Sequence, residues 1–408
     1  MFFNVLTVAD ARRRIRECIN PPSAEAVKLD EAFDRVAAED ISAPEDVPSF
    51  DRATMDGFAV RAADTFGASE GLPAYLKVAG EVLMGRPPEG AVNPGEAWRI
   101  PTGGMLPETA DAVVMVEHTE EVGPGAQGNE CWVAILRPVA PGENVVRKGE
   151  DVRAGSAVVR TGRRLRPQDL GLLAACGVRT VSVRKRLTVG IIGTGDEVVD
   201  AETVPQPGQV RDVNTVALAA MVASAGGVPV RYGVVPDDLD TIKRVLGAAL
   251  AENDAVLLSG GSSVGTRDLT LQAVESLNGA RVLFHGLAVR PGKPTVGAVV
   301  GGKPVFGLPG HPVSALVVFE VLVRPLIEPE RLEREALRAR LTRSLRSAPG
   351  REDFVRVRLK VENGELKADP ILGKSGLIAT LARADGLVRI PLDAEGAQAG
   401  EMVDVFPI

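Results

Sequence analysis

The carboxylates of Glu197, of Asp237 or Asp238, and of Asp268 each follow a short apolar run, within "GTGDE" (193–197), "PDD" (236–238) and "SGGSSVGTRD" (259–268). Three acids gathered at one point repel one another unless a cation joins them. A hard divalent cation held by carboxylates and phosphate suits such a set. Helix capping is the competing explanation, because Asp237, Asp238 and Asp268 each sit near a helix start. Capping accounts for Asp237 or Asp238 and leaves Glu197 unexplained. The backbone beside these acids is bare. Gly260, Gly261, Ser262 and Ser263 in "SGGSSVG", and the stretch "GLPGHP" (307–312), let a ligand approach the main chain. The helix starts that follow offer free N–H groups to an anion. "RPGKP" (290–294) adds Arg290 and Lys293 on a Pro-Gly-Pro frame, which suits an anionic ligand or a solvated turn.

Familiar nucleotide motifs do not fit. "GTGDEV" lacks the third glycine of a dinucleotide fingerprint. "GAVVGGKP" (297–304) nearly has phosphate-loop spacing, but Pro304 replaces the Ser or Thr that would hold Mg2+ and has no N–H to donate. "ADPILGKS" (368–375) has Ala368 where the first glycine is needed.

An alternation of strands and helices over about 186–328 must position these groups. "LTVGIIG", "VPVRYGVV", "DAVLLSGG", "RVLFHGLAV", "TVGAVV" and "KPVFGLPG" read as strands. "NTVALAAMVASAGG", "DDLDTIKRVLGAALAEN", "RDLTLQAVESLNG" and a last segment from about Pro312 to Ile327 read as helices. This pattern predicts a mostly parallel sheet with helices on both faces. Ligands of such sheets bind beyond the carboxyl ends of the strands, where the four loops would lie. The whole chain reads as multidomain α/β plus β. Residues 1–44 together with 142–185 form a mixed domain, with "TVADARRRIREC" and "LDEAFDRVAAED" as amphipathic helices. Residues 45–141 form a small β-rich domain, with "EVGPGAQGNE" as a hairpin loop. Residues 186–330 form the α/β domain. Residues 331–408 form a C-terminal β-barrel-like domain, expected to add substrate contacts but little to the α/β fold.

Composition narrows the classes. A chain of 408 residues is too long for one ordinary core. A net charge of −7 argues against a general nucleic-acid binder. The best apolar stretch, "VSALVVFEVLV", is short and contains Glu320, so no membrane helix is expected. The first residues lack the order of a signal peptide, which makes the cytoplasm the expected compartment. Cys18, Cys131 and Cys176 are isolated, so neither a disulfide framework nor a zinc site is expected. Any metal is expected to be a hard cation such as Mg2+.

Several motifs then occur in a telling order: "MDGFAV", "IPTGGMLPETADAVVMVE", "GENVVRKGED", "GTGDEV", "LSGGSSVGTRD", "RPGKP" and "FGLPGHPVSAL". Together they resemble the molybdenum-inserting MoeA family, which is similar to the gephyrin E domain. The resemblance covers nearly the whole chain. It implies a molybdopterin molybdenumtransferase that takes adenylylated molybdopterin and molybdate, uses Mg2+ and releases molybdenum cofactor and AMP. It also implies an elongated homodimer of four-domain subunits. The cleft would be shared between the α/β domain of one subunit and the small β domain of the other, and contact with other cofactor-synthesis proteins would be transient. By the same resemblance, the functional acids fall on Asp56, Asp151, Glu197, Asp237 and Asp268, of which Glu197, Asp237 and Asp268 would attend the metal. Substrate binding falls on Thr102, Gly260, Gly261, Ser262, Ser263, Arg290, Lys293, Pro309, Pro312 and Ser375. A pterin carrier or a scaffold without turnover is the alternative. The chain departs from the family pattern at His311, where Asn is usual, and at Gly286, Thr266 and Arg267.

Overall fold

The computed structural model describes residues 5–20, 23–123, 131–260, 269–329 and 336–408. The chain divides into two compact units, one of residues 24–184 and one of residues 1–23 with 185–408.

The second unit contains a six-stranded sheet. Its strands are β1 (Thr188–Thr194), β2 (Val228–Val235), β3 (Ala255–Ser259), β4 (Ala280–His285), β5 (Val296–Val300) and β6 (Lys303–Leu308), in the order β2-β1-β3-β6-β5-β4. β2, β1, β3 and β6 run parallel, while β5 is antiparallel to both of its neighbours. β3, "AVLLS", is buried at every position. That is why it reads as a continuous apolar run rather than an alternating one. One face packs on helices Val8–Arg16, Asn214–Ser224 and the segment from Pro312, through Leu218, Val313 and Phe319. The other packs on helices Leu239–Glu252 and Leu269–Glu275, through Ile242, Leu246 and Val274. The connection after β1 leads to β2 on one side, whereas β3 lies on the other side of β1. The strand order therefore reverses between β1 and β3, where open α/β sheets leave a crevice. "GAVVGGKP" proves to be a hairpin: Gly301 and Gly302, both at positive φ, turn β5 into β6.

The last residues form a barrel-like sheet in the order Glu352–Glu362, Glu365–Pro370, Leu337–Leu341, Met402–Pro407 and Gly386–Ile390. The last of these pairs back to the first and closes the ring. Asn363 and Gly364, both at positive φ, make the tight turn that the Asn-Gly pair predicts. The barrel is not an independent appendage. Val289–Arg290 pairs with Glu352 and Asp353 at its edge. Phe354 and Leu387 belong to the same apolar cluster as Phe306 and Phe319 of the α/β core. The expectation that the C-terminal region adds little to the α/β fold therefore has to contend with an apolar cluster common to both.

Residues 1–44 are likewise not one body. Helix Val8–Arg16 buries Val8, Ala11 and Ile15 in the α/β core, while the chain from Ala24 onward belongs to the other unit. There, "LDEAFDRVAAED" is not a helix beyond the short 3-10 turn Leu29–Glu31. Its backbone instead bonds across to residues 163–165 and 182, with Asp34 and Ala37 donating to the Leu165 and Arg163 carbonyls, and Asp34 adopts φ +61. Tertiary pairing overrides the helical periodicity. This unit also holds a six-stranded sheet in the order Ala112–Met115, Gly57–Val60, Glu96–Ile100, Ala74–Glu81, Trp132–Ile135 and Thr119–Val122. The last two pair antiparallel, as the hairpin reading requires, though residues 124–130 lie outside the described residues. No helix among the described residues is long and apolar enough to cross a membrane.

Candidate functional site

The carboxyl ends of β1, β3 and β6 meet at the crevice. Gly260, just after β3, has φ +136, and its N–H donates to the Leu308 carbonyl. A Cβ on Gly260 would lie 2.2 Å from the Thr194 carbonyl oxygen, so only glycine lets the two strand ends approach. Asn214, first residue of the helix after β1, ties the ends together. Its Nδ2 donates to Ser259 Oγ and to the Gly310 carbonyl, each at 2.8 Å. The acceptor side of that amide, Asn214 Oδ1, is buried without a partner, and so is Thr194 Oγ1. Buried polar atoms are normally satisfied, so these two mark a place prepared for polar contact. Gly260→Ala is expected to cost on the order of 1–3 kcal/mol from backbone strain alone, with the clash added. In Gly310→Ala the new methyl would meet only the Gly260 Cα at 3.7 Å, and stability should hold. Thermal melting of the two variants checks the contrast.

This crevice opens into a cleft of about 1980 Å³, lined by the strand ends on one side and by the barrel on the other. Among the expected site residues, Glu197, Gly260, Arg290, Lys293, Pro309, Pro312 and Ser375 line it. Pro309 and Pro312 flank Gly310 and His311, and Pro312 opens the helix Pro312–Val318 where no N–H is needed. Arg290 faces the buried carboxylate of Asp353 at 3.6 Å, and Arg351 bonds the same acid at 2.9 Å. Arg356 is more unusual. It is 8% exposed. It donates to the Thr380 hydroxyl and the Gly373 carbonyl, and its Nε has no partner. Burial lowers its pKa. The barrel wall is thus strongly cationic, which suits oxyanions.

The acids separate into distinct roles. Asp238 caps helix Leu239–Glu252, its side chain accepting from the Thr241 N–H at 2.9 Å. Asp237 makes no such cap. Its N–H donates to Asp196 Oδ1 at 3.1 Å, its own Oδ1 is buried and unpartnered, and burial followed by the negative charges of Asp196 and Glu197 raises its pKa. Asp237 does not itself line the cleft; Glu197 does. Asp268, with Gly261, Ser262, Ser263, Thr266 and Arg267, lies outside the described residues. Among the described residues, no group of three or more His, Cys, Asp or Glu side chains is arranged to hold a metal ion.

In the other unit, Asp56 and Thr102 come together from different motifs. Asp56 Oδ1 accepts the Thr102 N–H at 2.6 Å, and this bond, then the Thr102 side chain, lowers the Asp56 pKa. Gly57 is required at this corner, since a Cβ would sit 1.9 Å from the Val114 carbonyl oxygen. Asp151 is exposed, with its N–H donating to the Val47 carbonyl. Among the described residues, no hydrogen bond joins it to Asp56 or Thr102.

Reading the sequence missed Asp196, Asn214, Thr194 and Arg356. Asp196 sat in the quoted "GTGDE", and Asn214 opened a recognised helix. Only the fold shows which way their atoms point.

Comparison with known proteins bears on the whole chain. Residues 6–177 match the MoeA N-terminal region (domain I and II), residues 190–329 match the "Probable molybdopterin binding domain", and residues 338–408 match the MoeA C-terminal region (domain IV). The molybdopterin molybdenumtransferase of Bacillus subtilis is 34% identical over 99% of this chain and 94% of its own. Molybdopterin molybdenumtransferase 2 of Mycobacterium tuberculosis is 36% identical over 98% and 99%. A crystal structure of a molybdopterin biosynthesis MoeA protein from Pyrococcus horikoshii superposes with a TM-score of 0.86 at 39% identity, covering 98% of both chains. A second superposes at 0.82 with 35% identity, over 99% of this chain and 100% of that one.

Proposed function

The chain belongs to the MoeA family, and from that premise we propose that it is a molybdopterin molybdenumtransferase, inserting molybdenum into adenylylated molybdopterin with release of AMP. The cleft carries this reading: bare strand ends with unpartnered polar atoms on one wall face cations on the other. A ligand with phosphate groups and a heteroaromatic ring needs both kinds of wall. Backbone near Gly260 can approach a phosphate closely. Arg290, Lys293 and Lys374 offer positive charge to phosphate and to molybdate, the second substrate. Holding the two substrates in one cleft makes their encounter effectively intramolecular.

The acids at this corner would favour a hard cation, although the described residues alone do not make a complete ligand set for one. Asp237 keeps a buried, unpartnered oxygen beside the charges of Asp196 and Glu197, a repulsive arrangement that a hard cation relieves. Asp237 and Glu197 would hold it; the family resemblance adds Asp268, which lies outside the described residues. When bound, the ion would withdraw charge from the phosphate oxygens of the bond that breaks.

The direct test is incubation with adenylylated molybdopterin, Mg2+ and molybdate, followed for AMP. Binding without AMP release would instead leave a carrier or a scaffold. The reading also carries a homodimer, whose cleft is completed by Asp56, Thr102 and Asp151 of the second copy, and a cytoplasmic location. Light scattering at micromolar concentration should give twice the chain mass of 42.9 kDa. A mass near one chain would overturn the shared cleft.

A further inference from the structure

We infer that His311 is a positioning residue that turns the Ser375 hydroxyl toward an oxyanion in the cleft. The inference rests on the proposed function for the identity of the substrates, but its geometry stands on its own. Ser375 lies on the barrel side and His311 on the α/β side, and two contacts join them. The Val313 N–H donates to the Ser375 carbonyl at 3.1 Å, which fixes the serine backbone. His311 Nδ1 lies 3.1 Å from Ser375 Oγ. No other hydrogen bond to that hydroxyl is found among the described residues, so the imidazole decides where its proton points.

The backbone that carries the ring is held in place. The His311 carbonyl accepts from the Ser314 and Ala315 N–H groups, each at 3.0 Å, as the cap of helix Pro312–Val318. The side chain makes no capping bond of its own, which leaves it for Ser375. Gly376 lies beside the ring, close enough that a Cβ there would be in ordinary contact with His311 Cδ2 at 3.7 Å. Asn214 anchors the preceding residue through the Gly310 carbonyl.

A serine has one proton to give. If Ser375 gives it to Nδ1, its oxygen faces the cleft as an acceptor and repels an oxyanion. If Nδ1 carries the hydrogen and donates to Oγ, the serine O–H is released toward the cleft. The second arrangement is favoured when an anion arrives, and the walls are built to attract one. Lys374 is next to Ser375, Arg356 holds the same loop through the Gly373 carbonyl, and Arg290 lines the same cleft. His311 thereby makes Ser375 a donor. An Asn at this position could donate from Nδ2 in the same sense, whereas Ala cannot.

Calorimetric titration of the full chain with molybdate, with inorganic phosphate and with AMP tests this without requiring turnover. A hydrogen bond to a charged group is worth roughly a tenfold change in affinity or more. Ser375→Ala should weaken the oxyanion roughly tenfold, and His311→Ala should weaken the same oxyanion by less, because the hydroxyl keeps its proton and loses only its orientation, both at an unchanged melting temperature. The double variant should bind no more weakly than Ser375→Ala alone, because His311 acts only through that hydroxyl. His311→Asn should restore parent affinity. Weakening confined to molybdate assigns the seat to that substrate; weakening of phosphate and AMP assigns it to the nucleotide side. Additive losses, failure of Asn to rescue, or no oxyanion binding by the parent protein would each overturn the inference. Absence of AMP release with the binding pattern intact would overturn the proposed reaction and leave the His311 role standing.

Discussion

Replacing Asp237 by Asn is expected to lower AMP release at least ~100-fold, because a metal-positioning carboxylate contributes several kcal/mol at ~1.4 kcal/mol per decade of rate. The same change should leave the melting temperature equal or higher. Burial and the charges of Asp196 and Glu197 raise the Asp237 pKa in the folded chain. A carboxyl whose folded pKa lies above its unfolded value favours folding only while protonated. Ionised Asp237 therefore opposes folding without a cation, and the opposition grows as pH rises from the ordinary aspartate range through the raised value. The stability gained by Asn should vanish at low pH and appear on the neutral side. Mg2+ should reverse the order, raising the melting temperature of the parent and not of the variant. The neighbouring cap provides the contrast. Asp238→Ala should cost about 1 kcal/mol of stability and leave AMP release near the parent rate. Melting curves across pH, with and without Mg2+, and AMP release measure all of this. Near-parental AMP release in Asp237→Asn would remove that residue from the site.

A chain ending at residue 330 is expected to lose a cooperatively folded α/β unit. Phe354 and Leu387 are buried in the same cluster as Phe306 and Phe319. Removing one buried Phe side chain costs about 3–5 kcal/mol, and one Leu about 2–5. Together these approach the whole stability of an ordinary domain, about 5–15 kcal/mol. The cut also strips the edge strand Val289–Arg290 of its partner, and leaves the Ala288 carbonyl without the N–H it accepts from Glu352. Phe354→Ala in the full chain should show part of the same loss. Thermal unfolding, with dye binding to exposed apolar surface, distinguishes the outcomes. A truncated chain that melts cooperatively at the parent temperature would show that the shared cluster contributes little.

Much of the fold was legible because period and punctuation are local properties. β3 declared itself as an apolar run ending in Ser259, the helix Leu239–Glu252 by its Asp cap, and the Asn363–Gly364 hairpin by a dipeptide that suits two residues at positive φ. Placing the loops at the carboxyl ends of parallel strands followed from the alternation alone, and Glu197, Gly260, Arg290, Lys293, Pro309, Pro312 and Ser375 do line one cleft. The sequence by itself also settled the family, since its motifs run the length of the chain in order.

Tertiary structure decided what depends on partners distant in sequence. "LDEAFDRVAAED" carries a helical period, yet its amides find better partners at residues 163–165 and 182. Asp237 and Asp238 are adjacent and chemically identical, and only the direction of the helix that follows makes one a cap and leaves the other beside Asp196 and Glu197. Asn214 reads as an ordinary first residue of a helix until β3 and β6 bring Ser259 and Gly310 to its amide. His311 and Ser375, 64 residues apart, meet only because the barrel closes onto the α/β core, where a shared apolar cluster holds the two walls of the cleft at hydrogen-bonding distance.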